Sequence, residues 1–416
     1  MMKWKQYKIG DLCTPISETY RGKDEEVILI NTSDVLEGEI LNHEKVPNQN
    51  LKGQFKKTFK KNDILFSEIR PANKRYAFVN LDDTSLYIAS TKLMVLRPNI
   101  EIVRPRYLYA ILSSESIINE LQHLAETRSG TFPQITFSSE LAPMAANVPD
   151  FDTQDRIIKM LDILEGKISC NKKINENIEK QGKALFESWF VNFEVFDDTM
   201  VEAPNGMNIP KSLKMIQIND IPHSLESGKR PKGGAVSEGI PSVGAENVKK
   251  LGEFDFSTPK YVPIEFAEKM RKGKIQGYEL LLYKDGGKPG TFIPHFSMFG
   301  EGFPYDEFYV NEHVFVLDFY DIGFNEFAYY YMHTDYPYSW LVNNGEKAAV
   351  PGINQQDVNA IWIFDPENEK VKEFGKIVQP IFKSIFKNCI QNVKLVEMKK
   401  NLIPRLVSGK MEIPEL

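Results

Sequence analysis

Features of secreted and membrane-spanning proteins are missing from this sequence. Only three cysteines, Cys13, Cys170 and Cys389, occur in 416 residues, and their odd number and wide spacing argue against a disulfide framework. Nowhere does an apolar run reach the roughly 18 residues that a membrane helix needs, and no apolar signal segment follows the first methionines. We therefore expect a cytoplasmic protein that makes no membrane contact.

Motifs for cofactor or metal chemistry are also missing. The Gly287-Lys288 pair is followed by Pro289, and Leu282 stands where a phosphate-binding loop needs its first glycine. No Gly-x-Gly-x-x-Gly follows a predicted strand, and the six histidines form no i, i+4 pair and lie far from the cysteines. Residues 147–150 contain only part of the Asn-Pro-Pro-aromatic motif of amino-methyltransferases. We expect no catalytic residue, cofactor or metal in this chain.

Size and overall charge leave the type of partner open. A chain of 416 residues exceeds the length at which a single core stops growing, so we expect at least two domains. Hydrophobic residues make up 42% and charged residues 26%, as in a folded globular protein. The net charge of −6, taken alone, argues against a nucleic-acid partner, but binding depends on the local distribution of charge.

The sequence repeats itself at an offset of about 210 to 220 residues. Each match is weak, but the matches share their order and their offset. Residues 7–12, 59–66 and 132–135 match residues 216–221, 275–282 and 350–353. The middle match is an acidic turn that leads into an apolar strand. The repeat predicts two similar halves.

Two long amphipathic helices, at about residues 153–192 and 367–409, are predicted from apolar residues at alternating steps of three and four. The two seams have the same pattern, formed by Ile157, Leu161, Leu164 and Ile168 in the first helix and by Val378, Ile381 and Ile385 in the second. Because matching seams are most economically buried against each other, we predict an antiparallel coiled coil and a pseudo-two-fold arrangement of the repeats.

Asparagines interrupt both seams at equivalent places. An antiparallel pair would bring Asn171 and Asn175 opposite Asn392 and Asn388, where buried polar pairs would fix the alignment of the helices. The alternative is that these asparagines lie on a solvated face of each helix.

Prolines inside the second helix argue against an unbroken helix. Proline removes a hydrogen bond and costs about 3 kcal/mol in a helix interior. We therefore expect a kink or a new helix start at Pro380, and a separate last turn that begins at Pro404.

Short β-type runs punctuated by Gly, Pro, Asn and Asp fill the rest of the chain, with helical patterns near residues 106–124 and 325–334. This mixture predicts an α+β fold with two globular domains and two long helices. The predicted boundaries are 1–150 for the first globular domain, 151–194 for the first helix, 195–366 for a linker and the second globular domain, and 367–416 for the second helix and C-terminal segment.

Basic residues gather at equivalent places in the two halves. Residues 51–76 contain eight basic and two acidic residues with interleaved aromatics, and residues 269–288 contain six basic and two acidic residues. A single charge run is usually a solvated face, but two in register favour a functional role. The candidate DNA-binding residues are Lys56, Lys57, Lys60, Lys61, Arg70, Lys74, Arg75, Arg271, Lys272, Lys284 and Lys288.

These candidates divide by their predicted surroundings. The four lysines at positions 56, 57, 60 and 61 are expected mainly to hold phosphates. Residues in loops after strands are better placed for base edges or grooves, namely Arg70, Lys74, Arg75, Lys284 and Lys288.

Two helix ends resemble those of a known family. Residues 185–194, LFESWFVNFE, and residues 401–410, NLIPRLVSGK, look like the characteristic helix ends of the specificity subunits of type I restriction-modification systems. Residues 149–161, with Gln154 before Arg156, resemble the start of that family's first conserved helix, whereas residues 365–371 lack the glutamine. The likeness extends over essentially the whole chain, and Pro404 belongs to the family's C-terminal pattern.

The resemblance implies a non-catalytic subunit with two target-recognition domains. Each domain would read one half of a bipartite sequence in double-stranded DNA, with the helices as spacer and docking surface. The implied partners are two modification subunits, which use S-adenosylmethionine to methylate adenine, and restriction subunits, which use ATP and Mg²⁺.

Two other classes of function remain open at this point. The chain could be a coiled-coil scaffold whose globular domains bind protein, in which case it would show no selection among DNA sequences. It could also be an enzyme that acts alone, such as a nuclease, in which case the isolated chain would cleave DNA in the presence of metal.

Overall fold

The computed structural model describes residues 4–49, 51, 53–128, 132–286, 290–346, 350–409 and 411. The chain divides into two compact units, the first comprising Met1–Gly166 with Leu395–Leu416 and the second comprising Lys167–Lys394. Helices and strands are mixed in both units, as the sequence predicts.

Short strands build most of the first unit. They are β1 (Lys5–Lys8), β2 (Cys13–Ile16), β3 (Glu26–Ile30), β4 (Val35–Leu36), β5 (Glu39–Ile40), β6 (Lys45–Pro47), β7 (Phe55–Lys57), β8 (Ile64–Ser67), β9 (Tyr76–Phe78), β10 (Tyr87–Ser90), β11 (Leu93–Pro98) and β12 (Ala145–Val148). One sheet has the order β6-β3-β10-β7 and another the order β2-β11-β8-β9. In addition, β1 pairs with β12, and β4 pairs with β5.

Helices cover the second of these sheets. They are α1 (Ile9–Leu12), α2 (Pro105–Leu112), α3 (Glu115–Arg128), a π-helical turn (Phe137–Leu141) and α4 (Phe151–Phe190), which continues into the second unit. Pro105 suits the first position of α2, where the N–H group has no helical partner. Leu108 and Leu112 of α2 are buried in the same core as Phe66 of β8 and Leu96 of β11.

The second unit has its own strands and helices. The strands are β13 (Met200–Glu202), β14 (Asn208–Pro210), β15 (Met215–Gln217), β16 (Ser224–Ser227), β17 (Ile240–Val243), β18 (Tyr261–Val262), β19 (Leu280–Tyr283), β20 (Phe296–Met298), β21 (Tyr309–Val310), β22 (Val314–Asp318) and β23 (Trp362–Phe364). The helices are α5 (Ile264–Ala267), α6 (Ile322–Met332), α7 (Asp335–Gly345), α8 (Gln355–Asn359) and α9 (Glu369–Val407), which ends in the first unit.

The two units repeat one sheet topology. The order β2-β11-β8-β9 of the first unit corresponds to β16-β22-β19-β20 of the second, and β6-β3-β10 corresponds to β18-β17-β21. The pairs β3/β10 and β17/β21 are parallel, and the last strand before each long helix pairs with the first strand of the repeat, β12 with β1 and β23 with β15. The repeated sequence pattern thus corresponds to a repeated fold.

The central strands β8 and β19 have apolar residues at successive positions, and not only at every second position. Ile64, Leu65 and Phe66 of β8 are at most 1% exposed. The equivalent residues of β19, Leu280, Leu281 and Leu282, are fully buried. Strands covered on both faces need continuous apolar runs rather than a period of two.

In the first unit, the start of α4 packs against the end of α9. Ile157 and Leu161 share a core with Ile403 and Leu406. Glu165 of α4 accepts a hydrogen bond from Arg106 and lies 2.6 Å from the Lys399 ammonium. Burial alone would raise the pKa of Glu165, but Lys399 and Arg106 lower it below its ordinary value.

In the second unit, the remainder of α4 packs against the start of α9. The Asn171 amide donates to the side-chain oxygen of Asn392 at 2.8 Å, and the Asn388 amide donates to that of Asn175 at 2.8 Å. These are the pairs that the sequence placed opposite each other. Leu164 and Ile168 are half-buried, in contrast to Val378 and Ile385, which are at most 1% exposed, while Ile381 is half-buried.

A restarted helix at Pro380 and a separate last turn at Pro404 were wrong predictions, because α9 is one helix from Glu369 to Val407. Pro380 is exposed, and Val378 and Phe382 on either side of it are fully buried. The apolar packing of these neighbours offsets the hydrogen bond that proline removes.

No helix in the described segments has the length and apolarity required to span a membrane.

Candidate nucleic-acid interface

Lys57 contacts the tight turn between β10 and β11, which we call the central turn of the first unit. The Lys57 ammonium donates hydrogen bonds to the carbonyl oxygens of Thr91 at 3.0 Å and Leu93 at 2.8 Å. Burial lowers the pKa of Lys57, although Glu68 nearby acts in the opposite direction. Lys57 therefore fixes this turn, and two of its three donors are used within the unit.

The loop after β2 lies beside this turn. The Tyr20 N–H donates to the Lys56 carbonyl at 2.8 Å, and the Thr58 N–H donates to the Glu18 carbonyl at 2.9 Å. These bonds place the loop that carries the exposed Arg21 and Lys23 beside the strand that carries the exposed Lys56.

The loop between β8 and β9 adds a further cation. The Arg70 N–H donates to the Pro133 carbonyl at 3.1 Å, and the Ile135 N–H donates to the Glu68 carbonyl at 2.9 Å. Arg70 has a φ of 45°, a left-handed conformation that non-glycine residues rarely adopt. The Lys92 ammonium, in the turn between β10 and β11, lies 3.7 Å from a carboxylate oxygen of Glu68. We call the resulting surface the first basic strip, formed by Arg21, Lys23, Lys56, Arg70 and Lys92.

In the second unit, two glycines bring two basic loops together. A methyl group on Gly228, directly after β16, would lie 1.6 Å from the Val310 carbonyl oxygen, and one on Gly273 would lie 2.6 Å from the Gly228 Cα. Gly273 also has a φ of +81°. The backbones touch here because neither residue has a side chain. We call the basic residues on the two loops the second basic strip, formed by Lys229, Arg230, Lys232, Arg271 and Lys272, all of which are exposed.

The turn between β21 and β22 lies beside the second basic strip. Glu312, in this turn, lies 3.2 Å from the Arg230 Nε and 3.3 Å from the His313 Nε2. The other ring nitrogen of His313 contacts Asp285. The Lys284 ammonium donates to the Glu312 carbonyl at 3.1 Å, so a lysine fixes this turn as Lys57 fixes its counterpart in the first unit.

The loop after β19 repeats the contacts of its counterpart in the first unit. The Gly286 N–H donates to the Pro351 carbonyl at 3.0 Å, and the Ile353 N–H donates to the Lys284 carbonyl at 2.8 Å. A polar groove opens beside this loop, lined by Ser227, Lys284, Phe315, Asn354, Gln355 and Gln356.

The predicted DNA-binding residues fall into two groups. Some are exposed and have no ion pair or side-chain hydrogen bond within the described part of the chain, namely Lys56, Lys60, Arg70, Arg271 and Lys272. Others have partners within their own unit, namely Lys57, Lys61 with Asp82, Lys74 with Glu37, Arg75 with the carbonyls of Ser33 and Val35, and Lys284. Lys288 lies outside the described residues.

Sequence reasoning missed Arg21, Lys23 and Lys92 in the first unit and the loop of residues 228–234 in the second. That loop reads GKRPKGG, a basic glycine-rich segment directly after a strand, and this pattern was available as a signal. Its spatial link to Arg271 and Lys272 was not, because it depends on the contact between Gly228 and Gly273.

Across the segments that the structure covers, no group of three or more His, Cys, Asp or Glu side chains is arranged to hold a metal ion.

Comparisons with known proteins point to one family. Residues 1–180 match the family described as the type I restriction modification DNA specificity domain. The chain is 29% identical to the specificity subunit of the type I restriction enzyme HindI from Haemophilus influenzae, over 99% of this chain and 100% of that one. The chain is similar to the type I specificity subunits.

Two further proteins share this likeness. The specificity subunit of the type I restriction enzyme MjaIX from Methanocaldococcus jannaschii is 24% identical over 74% of this chain and 70% of its own length. The crystal structure of the type I restriction-modification S subunit from M. genitalium has a TM-score of 0.51 at 14% identity, covering 100% of this chain and 97% of that one. This structural likeness concerns the fold.

Proposed function

We propose that this chain is a specificity subunit that recognises a bipartite target in double-stranded DNA, and that each unit reads one half-site through its basic strip. The observation that carries the proposal is that the loops after the equivalent strands β2 and β16 both carry exposed cations, and that each adjoins a second segment with further exposed cations. Free cations clustered on a folded surface supply the attraction to phosphates. The likeness to the DNA specificity domain family and to the HindI specificity subunit supports the same function.

We further propose that α4 and α9 form an antiparallel coiled coil that relates the two repeats by a pseudo-two-fold axis and sets the distance between the half-sites. The asparagine pairs in the second unit and the ion pair between Glu165 and Lys399 in the first support this arrangement. A helix of about 40 residues is roughly 60 Å long, more than one turn of DNA.

We also propose that the subunit itself is non-catalytic and acts in the cytoplasm with two modification subunits and with restriction subunits. S-adenosylmethionine, ATP and Mg²⁺ would then be bound by those partners. The resemblance of residues 185–194 and 401–410 to the family's helix ends supports the proposal that catalysis belongs to the partner subunits.

The test is a gel-shift competition with the full chain and purified modification subunits. A pool of random duplexes is selected through several rounds, and the bound fraction is sequenced. We expect enrichment of a defined target, and steep weakening of binding as salt increases. Binding of all duplexes alike, or no binding, would favour the protein-binding scaffold instead. Cleavage of DNA by the isolated chain with Mg²⁺ would show an enzyme.

A further inference from the structure

Arg230 differs from the other exposed cations of the second basic strip in having a fixed partner. Its Nε lies 3.2 Å from a carboxylate oxygen of Glu312, while 43% of its side chain remains exposed. No other ion pair or hydrogen bond involves its side chain among the residues described by the structure. The two terminal nitrogens of the guanidinium are therefore free to donate to a ligand.

Glu312 is itself held in place. Its backbone carbonyl accepts a hydrogen bond from Lys284 at 3.1 Å, and its carboxylate lies 3.3 Å from His313. The preceding residue, Asn311, accepts a hydrogen bond from the Gly228 N–H at 3.2 Å and donates its own N–H to Val243 at 2.9 Å. The turn that carries Glu312 and the base of the loop that carries Arg230 thus form one hydrogen-bonded assembly.

Because the ion pair with Glu312 is made at Nε, the two terminal nitrogens of Arg230 remain available as a fork. This fork matches O6 and N7 of guanine in the major groove, which is the commonest specific contact between proteins and DNA bases. Phosphate binding needs no such support, because a flexible cation suffices to neutralise a phosphate. The turn between β10 and β11 of the first unit has Thr91 and Lys92 where the corresponding turn of the second unit has Glu312. The first basic strip therefore has no acidic residue in this turn that could position an arginine.

We propose that Arg230 reads a guanine in the half-site of the second unit, and that Glu312 is the positioning residue that aims it. This inference rests on the proposed function. Lys229, Lys232, Arg271 and Lys272, which have no acidic partner of this kind, bind phosphates and contribute equally on every sequence.

The experiment uses the full chain with its modification subunits and a duplex that carries the target sequence found by the selection above. Each guanine of both half-sites is replaced in turn by 7-deazaguanine, which lacks the N7 acceptor. We expect one guanine at which the replacement weakens wild-type binding by roughly 5- to 150-fold. R230Q should bind the normal and the replaced duplex at that position with equal affinity, and E312Q should show reduced discrimination at that position only.

K232Q is the matched control from the same loop. It should weaken binding to all duplexes by the same factor and keep the wild-type discrimination at every guanine. The melting temperatures of the variants check that each is folded.

The inference is wrong if R230Q keeps the wild-type ratio of affinities for the normal and the replaced duplex at every guanine, whether or not its binding is weaker overall. It is also wrong if no guanine is sensitive in the wild type. In each of these cases the proposed function survives as long as the wild type prefers its target to a scrambled duplex. A wild type without that preference overturns both.

Discussion

Neighbouring lysines in this protein have different tasks. Lys56 is exposed and has no partner in the described residues, whereas Lys57, one position along β7, donates to two backbone carbonyls. Alternation along a strand sends these two side chains to opposite faces of the sheet. The sequence predicted a basic cluster here, but it could not distinguish the two residues, because the partners of Lys57 come from a turn more than 30 residues away.

Replacing each lysine by methionine separates these tasks. Lys57→Met leaves two carbonyls of the central turn without a donor, and we expect it to lower the free energy of unfolding by about 1–3 kcal/mol. Lys56→Met should leave stability within about 0.5 kcal/mol of wild type and reduce the salt slope of DNA binding by about one. Urea unfolding and salt-dependent gel shifts measure the two effects. An unchanged slope for Lys56→Met would remove this residue from the interface.

A buried carboxyl predicts a pH dependence of stability. Glu326 in α6 is fully buried, and neither of its oxygens has a hydrogen-bond partner among the described residues. Burial raises its pKa to about 8, with a smaller effect of the same sign from Asp321. The folded state therefore retains a proton that the unfolded chain loses near pH 4.5. The contribution to stability is fully present below that pH and is lost as the pH rises toward 8.

The variant Glu326→Gln removes this dependence. Wild type should lose on the order of 5 kcal/mol of unfolding free energy between pH 4.5 and pH 8 through this group, and Glu326→Gln should lose much less. Glu265→Gln, at an exposed position of α5, is the control and should follow wild type. Urea titrations at a series of pH values give the comparison. Parallel curves for wild type and Glu326→Gln would show that the carboxyl is ionised or solvated in the folded protein.

At the scale of elements, periodicity predicted the long helices well, because it is a local property of the sequence. The sequence predicted less well which side of α4 is buried near its end. The apolar Leu185 and Trp189, which continue the predicted seam toward the end of α4, are half-buried, while Phe186 and Phe190 are at most 2% exposed. Phe186 and Phe190 pack against Phe327 of α6 as well as against α9, and this non-local neighbour rotates the buried face.

The asparagine pairs should couple α4 to α9 in the second unit. The Asn388 amide donates to Asn175 at 2.8 Å, so removing both side chains should cost less than the sum of the two single losses. We expect a coupling energy of about 0.5–1.5 kcal/mol from urea unfolding of Asn175→Ala, Asn388→Ala and the double variant. Lys172→Ala with Asn388→Ala is the control cycle, with a coupling near zero, because Lys172 is exposed. Strict additivity for the asparagines would mean that the pair does not hold the helices in register.

At the scale of the whole chain, the repeat was the most informative feature of the sequence. Weak matches at residues 132–135 and 350–353 correspond to the same backbone contacts in both units, Pro133 with Arg70 and Pro351 with Gly286. Overall charge was the least informative feature, because a net charge of −6 conceals two basic strips. The composition of the strips could not be predicted in full, because loops distant in sequence form each of them.

The central claim is that two units read two half-sites held at a fixed distance. Sequencing of methylated sites in DNA from cells that carry the complete system tests it most directly. We predict one methylated target with two constant half-sites separated by a spacer of fixed length and variable sequence. A single continuous recognition sequence, half-sites at variable distances, or no methylation that depends on this chain would contradict the account.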